Sequence, residues 1–260
     1  MNQVMEVLLN RKSVRAYEDR PVPEEARAAI LRAAMRAPTA GNMMLYSIIH
    51  VRDQGAKETL ARTCDNQPFI ARAPLVLLFL ADYQRWLDYF IVSGVEQLCE
   101  QSGEALRKPG AGDLLLACCD ALIAAHTAVI AAESLGIGSC YIGDIMENCE
   151  AHQELFGLPR YAFPICLLCF GYPTAQQKQR PQMTRFRDDF IVFENRYKRL
   201  SAGEFEEMYR QKRERMATDE VDPGVLANVG QLTYSSKYNA GFAKELNRSV
   251  RVMLRAWTGE

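Results

Sequence analysis

The chain has 260 residues, 48% hydrophobic and 24% charged, with a net charge of −1 and a pI of about 6.4. This composition excludes a disordered or fibrous chain and suits one large globular domain or two small ones. With 31 basic against 32 acidic residues, no global pull toward nucleic acid or an anionic membrane follows, so any anion site must be local.

The opening "MNQVMEVLLNRKS" is too short and too broken by charge for a secretory segment. The eight cysteines lie mostly in apolar runs. They read as small buried hydrophobes of a reducing, cytoplasmic protein rather than a disulfide framework. Next comes "NRKSVRAYEDRPVPEEA", which crowds Arg11, Lys12 and Arg15 around Ser13. Two guanidinium forks, an ammonium and a hydroxyl suit a phosphate. A solvated turn is the plain alternative.

"VPEEARAAILRAAMRAPTAGN" predicts a helix. Pro23 stands near its start, Glu24 and Glu25 favour its N-terminal dipole, and Ala26, Ile30, Ala33 and Ala34 recur at helical spacing. Pro38 and Gly41 end it. "LYSIIHVRD" reads as a strand, "DQGAKETLARTC" as a helix, and "APLVLLFLADY" as a buried strand. The region from Tyr83 begins helical and aromatic, with Trp86, Tyr89 and Phe90. It then turns loop-like through Gly103, Pro109, Gly110 and Gly112.

"LLLACCDALIAAHTAVIAA", residues 114–132, is about as long as a bilayer crossing. Asp120 and His126 in its interior, and the lack of an aromatic belt, favour a buried core helix. A helix apolar nearly all round must be covered on every side, and a subunit interface can supply that cover. Gly136 fits its C-terminal cap. "FPICLLCFGYP" is the third strong strand, and "SAGEFEEMYRQKRERM" predicts a helix in a charged C-terminal region. A polar tail with "NVGQLTYSSKY" and "NRSVRVMLRAW" follows.

Several chemistries find no support. "GIGSCYIG" carries Tyr141 where a dinucleotide fingerprint needs its third glycine, and there is no phosphate loop ending in Gly-Lys-Ser/Thr. His50, His126 and His152 form no metal-ligand spacing, and Cys166 and Cys169 sit inside an apolar strand. No serine elbow or base-paired cysteine appears. The basic stretch from "KQRPQMTRFRDDF" to "RQKRER" is interleaved with Asp188, Asp189, Glu194 and Glu204, so it reads as a solvated face rather than a nucleic-acid surface.

Three motifs in order resemble the nitroreductase family of FMN-dependent oxidoreductases. They are the basic motif running into the "RAPTAGN" loop, "ESLGIGSCYIGDI" after the long helix, and "FGYPTAQQKQRP". The resemblance covers most of residues 8–181. It implies an α+β fold: a three-layer sandwich with a central mixed, mostly antiparallel sheet flanked by helices, in an intertwined homodimer. It implies noncovalent FMN at the dimer interface, reduced by NADH or NADPH in a ping-pong cycle, then reoxidised by a nitroaromatic, a quinone or another small acceptor. No nucleic acid or membrane partner is expected.

Carried over by position, Arg11, Lys12, Ser13 and Arg15 match the motif that holds the FMN phosphate, ribityl chain and pyrimidine edge. Lys178 and Arg180 match the pair that reaches the phosphate. Pro38, Thr39, Ala40 and Asn42 match the loop lining the flavin ring. Tyr141, Ile142, Gly143 and Asp144 match the segment whose backbone faces the ring, with the Gly143 N–H assigned to flavin N5. Asn42, Met43, Met44, Leu45 and Tyr46 depart from the family's usual Asn-x-Gln-Pro-Trp, which bears on acceptor choice. Tyr83, Trp86, Tyr89 and Phe90 are candidates for a lid over the flavin, or for ordinary packing.

The expected organisation is an FMN-binding domain over residues 1–200 and a C-terminal extension over 201–260 that wraps the partner. Same-fold rivals are a reductive dehalogenase and a flavin-cleaving enzyme. A rival of another class is a flavin-binding protein without turnover.

Overall fold

Four strands form the sheet on which everything else is hung. In the computed structural model, which describes residues 2–218 and 228–259, they are β1 (Tyr46–His50), β2 (Leu75–Asp82), β3 (Gly138–Ile142) and β4 (Ala162–Gly171). Their order is β1-β2-β4-β3, and every neighbouring pair is antiparallel. The only parallel pairing among the described residues is an isolated bridge from Ser13 to Ser139. Pro164 cannot donate to the ladder; the register shifts beside it, with Phe79 opposite Cys166 and Leu80 opposite Pro164.

The helices are α1 (Gln3–Asn10), α2 (Glu24–Met35), α3 (Gln54–Thr63), α4 (Phe69–Arg72), α5 (Gln84–Val92), α6 (Val95–Ser102), α7 (Ala111–Ser134), α8 (Cys149–Phe156), α9 (Ala175–Gln179), α10 (Ala202–Met208), α11 (Arg210–Thr218), α12 (Val229–Thr233) and α13 (Gly241–Thr258). The chain divides into two compact units, one of Met1–Arg180 with Glu245–Glu260 and one of Pro181–Lys244.

Side-chain parity explains the layers of the first unit. Val76, Leu78, Leu80, Leu167 and Cys169 point to one face and pack with Leu60, Ala61 and Ile70 of α3 and α4. Leu75, Leu77, Phe79, Leu168 and Phe170 point to the other and pack with Ile30 of α2 and Ala121, Ala125 and Ala128 of α7. Alternate residues of a strand face opposite ways, so the sheet is the middle of three layers. The fold is α+β, as the family resemblance implies.

The long helix α7 is long and apolar enough to cross a membrane by length and composition. Here it buries a stripe of small residues, Ala117, Ala121, Ala124, Ala125, Ala128 and Ala132, which lets the sheet and α2 approach closely. It starts earlier than its apolar run, inside the glycine-rich stretch. Asp113 accepts a bond from the Gly110 N–H at 2.8 Å, closing a first turn that Arg107 also braces. Gly136 stops the helix at φ +72°, with the Ile137 N–H bonded to the Ala132 carbonyl at 2.9 Å.

The structure adds elements the pattern did not show. β3 is only five residues long and bounded by Gly138 and Gly143; its pairing with β4, not its composition, makes it a strand. The polar-looking tail forms α13, which returns Met253 and Trp257 to a core with Tyr83, Leu114 and Tyr161. Trp257 is 1% exposed, and its indole N–H donates to the Gly110 carbonyl at 3.0 Å. In the second unit the expected single helix from Ser201 is two, α10 and α11, with a Ser201–Glu204 capping box at the start. Residues 219–227 of the expected C-terminal extension lie outside the described residues.

Candidate functional site

The basic motif is laid across the free edge of β3 by two glycines. The Val14 N–H bonds the Ser139 carbonyl at 2.9 Å, and the Glu18 N–H bonds the Tyr172 carbonyl at 2.8 Å. A Cβ on Gly138 would stand 2.4 Å from Val14 Cγ2, and one on Gly171 would stand 2.5 Å from Tyr17 Cδ1. Gly138 and Gly171 face each other in the β3–β4 register. Only backbone without side chains admits the segment so closely.

This docking brings Arg11, Lys12, Ser13 and Arg15 to Lys178 and Arg180, more than 160 positions away. Lys12 Nζ donates to the carbonyls of Lys178 and Arg180 at 2.7 and 2.6 Å. The Arg15 N–H donates to Gln177 Oε1 at 3.3 Å, and Lys178 pairs with Glu18 at 2.9 Å. Lys12 is thus partly a tie between the two segments. Arg11, Arg15 and Arg180 form no ion pair among the described residues, and the Arg15 guanidinium lies 6.0 Å from the Phe69 ring centre. Like-charged groups gathered this way repel unless an anion joins them.

Glu133, near the end of α7, is the nearby acid that sequence reasoning missed. Burial pushes its carboxyl up to about 7, against the lowering effect of Arg11, Lys12 and the neighbouring Ser139 hydroxyl. Glu133 Oε1 and Ser139 Oγ are both buried with no hydrogen-bond partner among the described residues. Both atoms lie near the cations Arg11 and Lys12, which act on the Glu133 carboxyl.

The Pro38, Thr39, Ala40 and Asn42 loop sits at the β1 side of the sheet. It is fixed by Asp120, 2% exposed in the middle of α7. Asp120 Oδ1 accepts from the Ala40 N–H at 2.9 Å and Oδ2 from the Leu45 N–H at 3.0 Å. Trp86 Nε1 donates to the Met43 carbonyl at 2.7 Å, and Arg85 Nη1 donates to the Tyr46 carbonyl at 3.2 Å. These bonds hold Gly41, Asn42 and Met44 at φ +56°, +55° and +52°. For Met44 that left-handed conformation costs about 1 kcal/mol or more, and the surrounding bonds over-determine it. The sequence signal was available: a lone aspartate in an apolar helix. Of the lid candidates, Tyr83 is buried, Trp86 is half-buried and pinned to the loop, and Tyr89 is exposed and stacks edge-on against Trp86 at 5.9 Å.

Tyr141 and Ile142 end β3, and Gly143 and Asp144 begin a 3-10 turn over Gly143–Met146. Tyr141 alone in β3 is exposed. No atom lies within 4 Å of where a Gly143 Cβ would be, so backbone faces open space there. Asp144 Oδ2 accepts from Gln67 Nε2 at 2.7 Å, anchoring the turn to the α3–α4 connection. Behind it Glu147 is buried, and desolvation followed by the charge of Asp144 pushes its carboxyl up to about 8.

The site residues therefore form two groups. The cations and the Tyr141–Asp144 segment share the β3 edge; the 38–42 loop is at the β1 side, with β2 and β4 between. Asp120 and Glu133, which serve the two groups, are thirteen positions apart on α7, about 20 Å along its axis.

A three-layer α+β unit with a cationic sheet edge and no glycine fingerprint matches known flavin enzymes. The structure of NfrA2 from B. megaterium aligns over 99% of this chain and 98% of its own, with a TM-score of 0.80 and 27% identity. An FMN reductase [NAD(P)H] of Bacillus subtilis (strain 168) is 34% identical over 183 residues, 70% of this chain and 71% of its own. An oxygen-insensitive NADPH nitroreductase of Salmonella typhimurium is 32% identical over 200 residues, 77% of each chain. The nitroreductase family model matches residues 8–172. The chain belongs to the nitroreductase family.

Proposed function

We propose that this chain is an FMN-dependent oxidoreductase that draws electrons from NADH or NADPH and delivers them to nitroaromatics, quinones, free flavin or similar small acceptors. The observation that carries this reading is the docking of the Arg11–Arg15 segment against the Lys178–Arg180 segment at the β3 edge, with no ion pair on Arg11, Arg15 or Arg180 among the described residues. The donor set fits a flavin mononucleotide: guanidinium forks for a phosphate dianion, hydroxyls for a ribityl chain, and open backbone at Gly143 for a flat ring.

Bound FMN supplies hydride acceptance from the nicotinamide and reduction of the second substrate. The chain supplies position and field. Arg15, Lys178 and Arg180 are assigned to the phosphate, Arg11, Lys12 and Ser13 to the ribityl and pyrimidine edge, with Lys12 also tying the two segments. The backbone of Tyr141, Ile142, Gly143 and Asp144 lines the ring, and the Gly143 N–H is assigned to N5, where a fixed donor favours an electron-rich ring without a titratable side chain. Pro38, Thr39, Ala40 and Asn42 are assigned to the ring's other side.

A homodimer is part of the proposal, because the two residue groups lie apart within one chain. Support comes from uncovered apolar surface in each unit. On α1 and α7, Val4, Leu8, Leu116 and Ile123 are exposed, and Leu115 is 68% exposed. In the second unit Tyr197 is 83% and Tyr238 78% exposed, which supports a partner-wrapping role for the C-terminal segment. A cytoplasmic location completes the reading.

The test is direct. Purified protein is expected to be yellow, to release FMN on heating, and to run as a dimer in sedimentation. In steady state it is expected to oxidise NADH or NADPH with a nitroarene, a quinone or free FMN as acceptor. A colourless protein that refuses added FMN overturns the proposal, and bound FMN that no nicotinamide reduces overturns the enzymatic part of it.

A further inference from the structure

We propose that the first unit carries a second anion site, for a phosphate dianion, in the cleft between α2, the end of β1 and α3. The cleft holds about 210 Å3 and is lined by Glu24 and Arg27 of α2, His50 ending β1, Arg52 just after it, Lys57 of α3, and Pro74. None of the residues assigned to FMN lines it. Its lining carries two more positive than negative charges.

The hydrogen-bond inventory shows what the cleft lacks. Glu24 is bonded by Arg27, whose Nε reaches it at 3.0 Å and whose Nη2 bonds its other oxygen, and the charge of Arg52 acts on it as well. Arg27 Nη1 lies 3.4 Å from His50 Nδ1. Arginine has no acceptor, so Nδ1 accepts and the proton of the neutral ring sits on Nε2. Lys57 uses one hydrogen on the Ala73 carbonyl at 3.0 Å. Asp53 is not available, because its Oδ1 caps α3 by accepting from the Ala56 N–H at 2.7 Å. Arg52 forms no ion pair or hydrogen bond among the described residues.

What remains is a set of donors without an acceptor: the Arg52 guanidinium, the free hydrogens of Lys57 and the His50 Nε2–H. They arrive from three segments of the fold. A planar carboxylate is satisfied by one guanidinium fork, whereas a tetrahedral dianion accepts from several directions at once. The electrostatics agree. Burial lowers His50 first, then Arg27, Arg52 and Lys57 lower it further, with Glu24 alone opposing. Lys57 is itself lowered by burial, with Cys169 of β4 opposing. An anion seated among these groups reverses the repulsion.

His50 is also the reporter, since of the chain's three histidines only it lines the cleft. The purified protein is titrated with inorganic phosphate, with glycerol phosphate, and with sodium chloride at matched ionic strength, following the histidine ring signals by NMR. The expected result is a saturable shift of His50, a rise in its pKa of about one unit, and no change at His126 or His152. Arg52→Gln is expected to weaken phosphate about tenfold while leaving flavin content and turnover unchanged. Lys57→Gln is expected to weaken it as well.

Saturation by both phosphate compounds supports recognition of any small phosphoryl group, and saturation by phosphate alone supports the free ion. The proposal is overturned if neither saturates, if chloride produces the same displacement, or if both variants keep the parent affinity. None of these outcomes depends on the flavin reading.

Discussion

The middle and the C-terminal end of α7 treat a buried carboxylate in opposite ways. Asp120 has each oxygen bonded to a backbone N–H of the 38–46 loop, so its burial is compensated and the loop is held in an unusual conformation. Glu133 sits beside Arg11 and Lys12 with Oε1 unsatisfied and its carboxyl pushed up to about 7. The first carboxylate is finished as structure. The second belongs to a charged cluster with Arg11 and Lys12. The same helix thus supplies a rigid support to one half of the candidate site and an adjustable charge to the other.

The largest expected effect is at the charged cluster. Arg15→Ala with Arg180→Ala is expected to weaken FMN by about a hundredfold or more, from the loss of charge-assisted bonds. The urea midpoint of the flavin-free protein should not fall, because neither side chain has an ion pair to lose among the described residues and their removal relieves like-charge repulsion. Equal FMN affinity in the double variant would move the phosphate elsewhere.

At the middle of α7 the effect is on stability. Asp120→Ala strands the Ala40 and Leu45 N–H groups and is expected to cost about 3 kcal/mol in denaturant unfolding. Asp120→Asn, which keeps one acceptor, should cost less. A variant as stable as the parent would mean that the loop is not held from α7.

Gly138→Ala tests the docking of the basic motif. Its Cβ meets Val14, and overpacking of this kind costs about 1–3 kcal/mol. Adding Val14→Ala should recover part of that loss and part of the FMN affinity. Failure of the pair to compensate would put the strain elsewhere.

Glu133→Gln has the smallest expected effect, and its sign follows from linkage. An unfolded glutamate titrates near 4.5 and the folded one at about 7. Between those values the folded state holds a proton that the unfolded state has lost, so stability falls as pH rises through this window and levels above it. Glutamine removes that decline. Relative to the parent, the variant should gain in unfolding midpoint between about pH 5 and about pH 8. Parallel profiles for the two proteins would show that Glu133 is satisfied after all.

Much of this was legible in the chain. β1, β2 and β4 are dense in β-branched or apolar residues, α2 and α7 carry a helical run, and Gly136 supplies the stop. The crowding of Arg11, Lys12 and Arg15 was also plain in the chain, and it left an anion site and a solvated turn both open. β3 escaped because Gly138, Ser139 and Gly143 read as a turn; it is a strand only because β4 pairs with it. α13 escaped because a strongly two-faced helix looks polar when its buried Ser249, Met253 and Trp257 are averaged with its charges.

What the sequence determined by itself was local: which segments extend, which coil, where a helix stops, and that three cations crowd one hydroxyl. Those follow from neighbours within a turn or two of chain. Tertiary structure alone decided which cations are spent and which are free. Lys12 is tied to carbonyls 166 and 168 positions away, Lys178 to Glu18 across 160, and Asp120 reaches back 75 and 80 positions to its donors. A hydrogen bond needs a few tenths of an ångström of placement, and only the packed layers provide it.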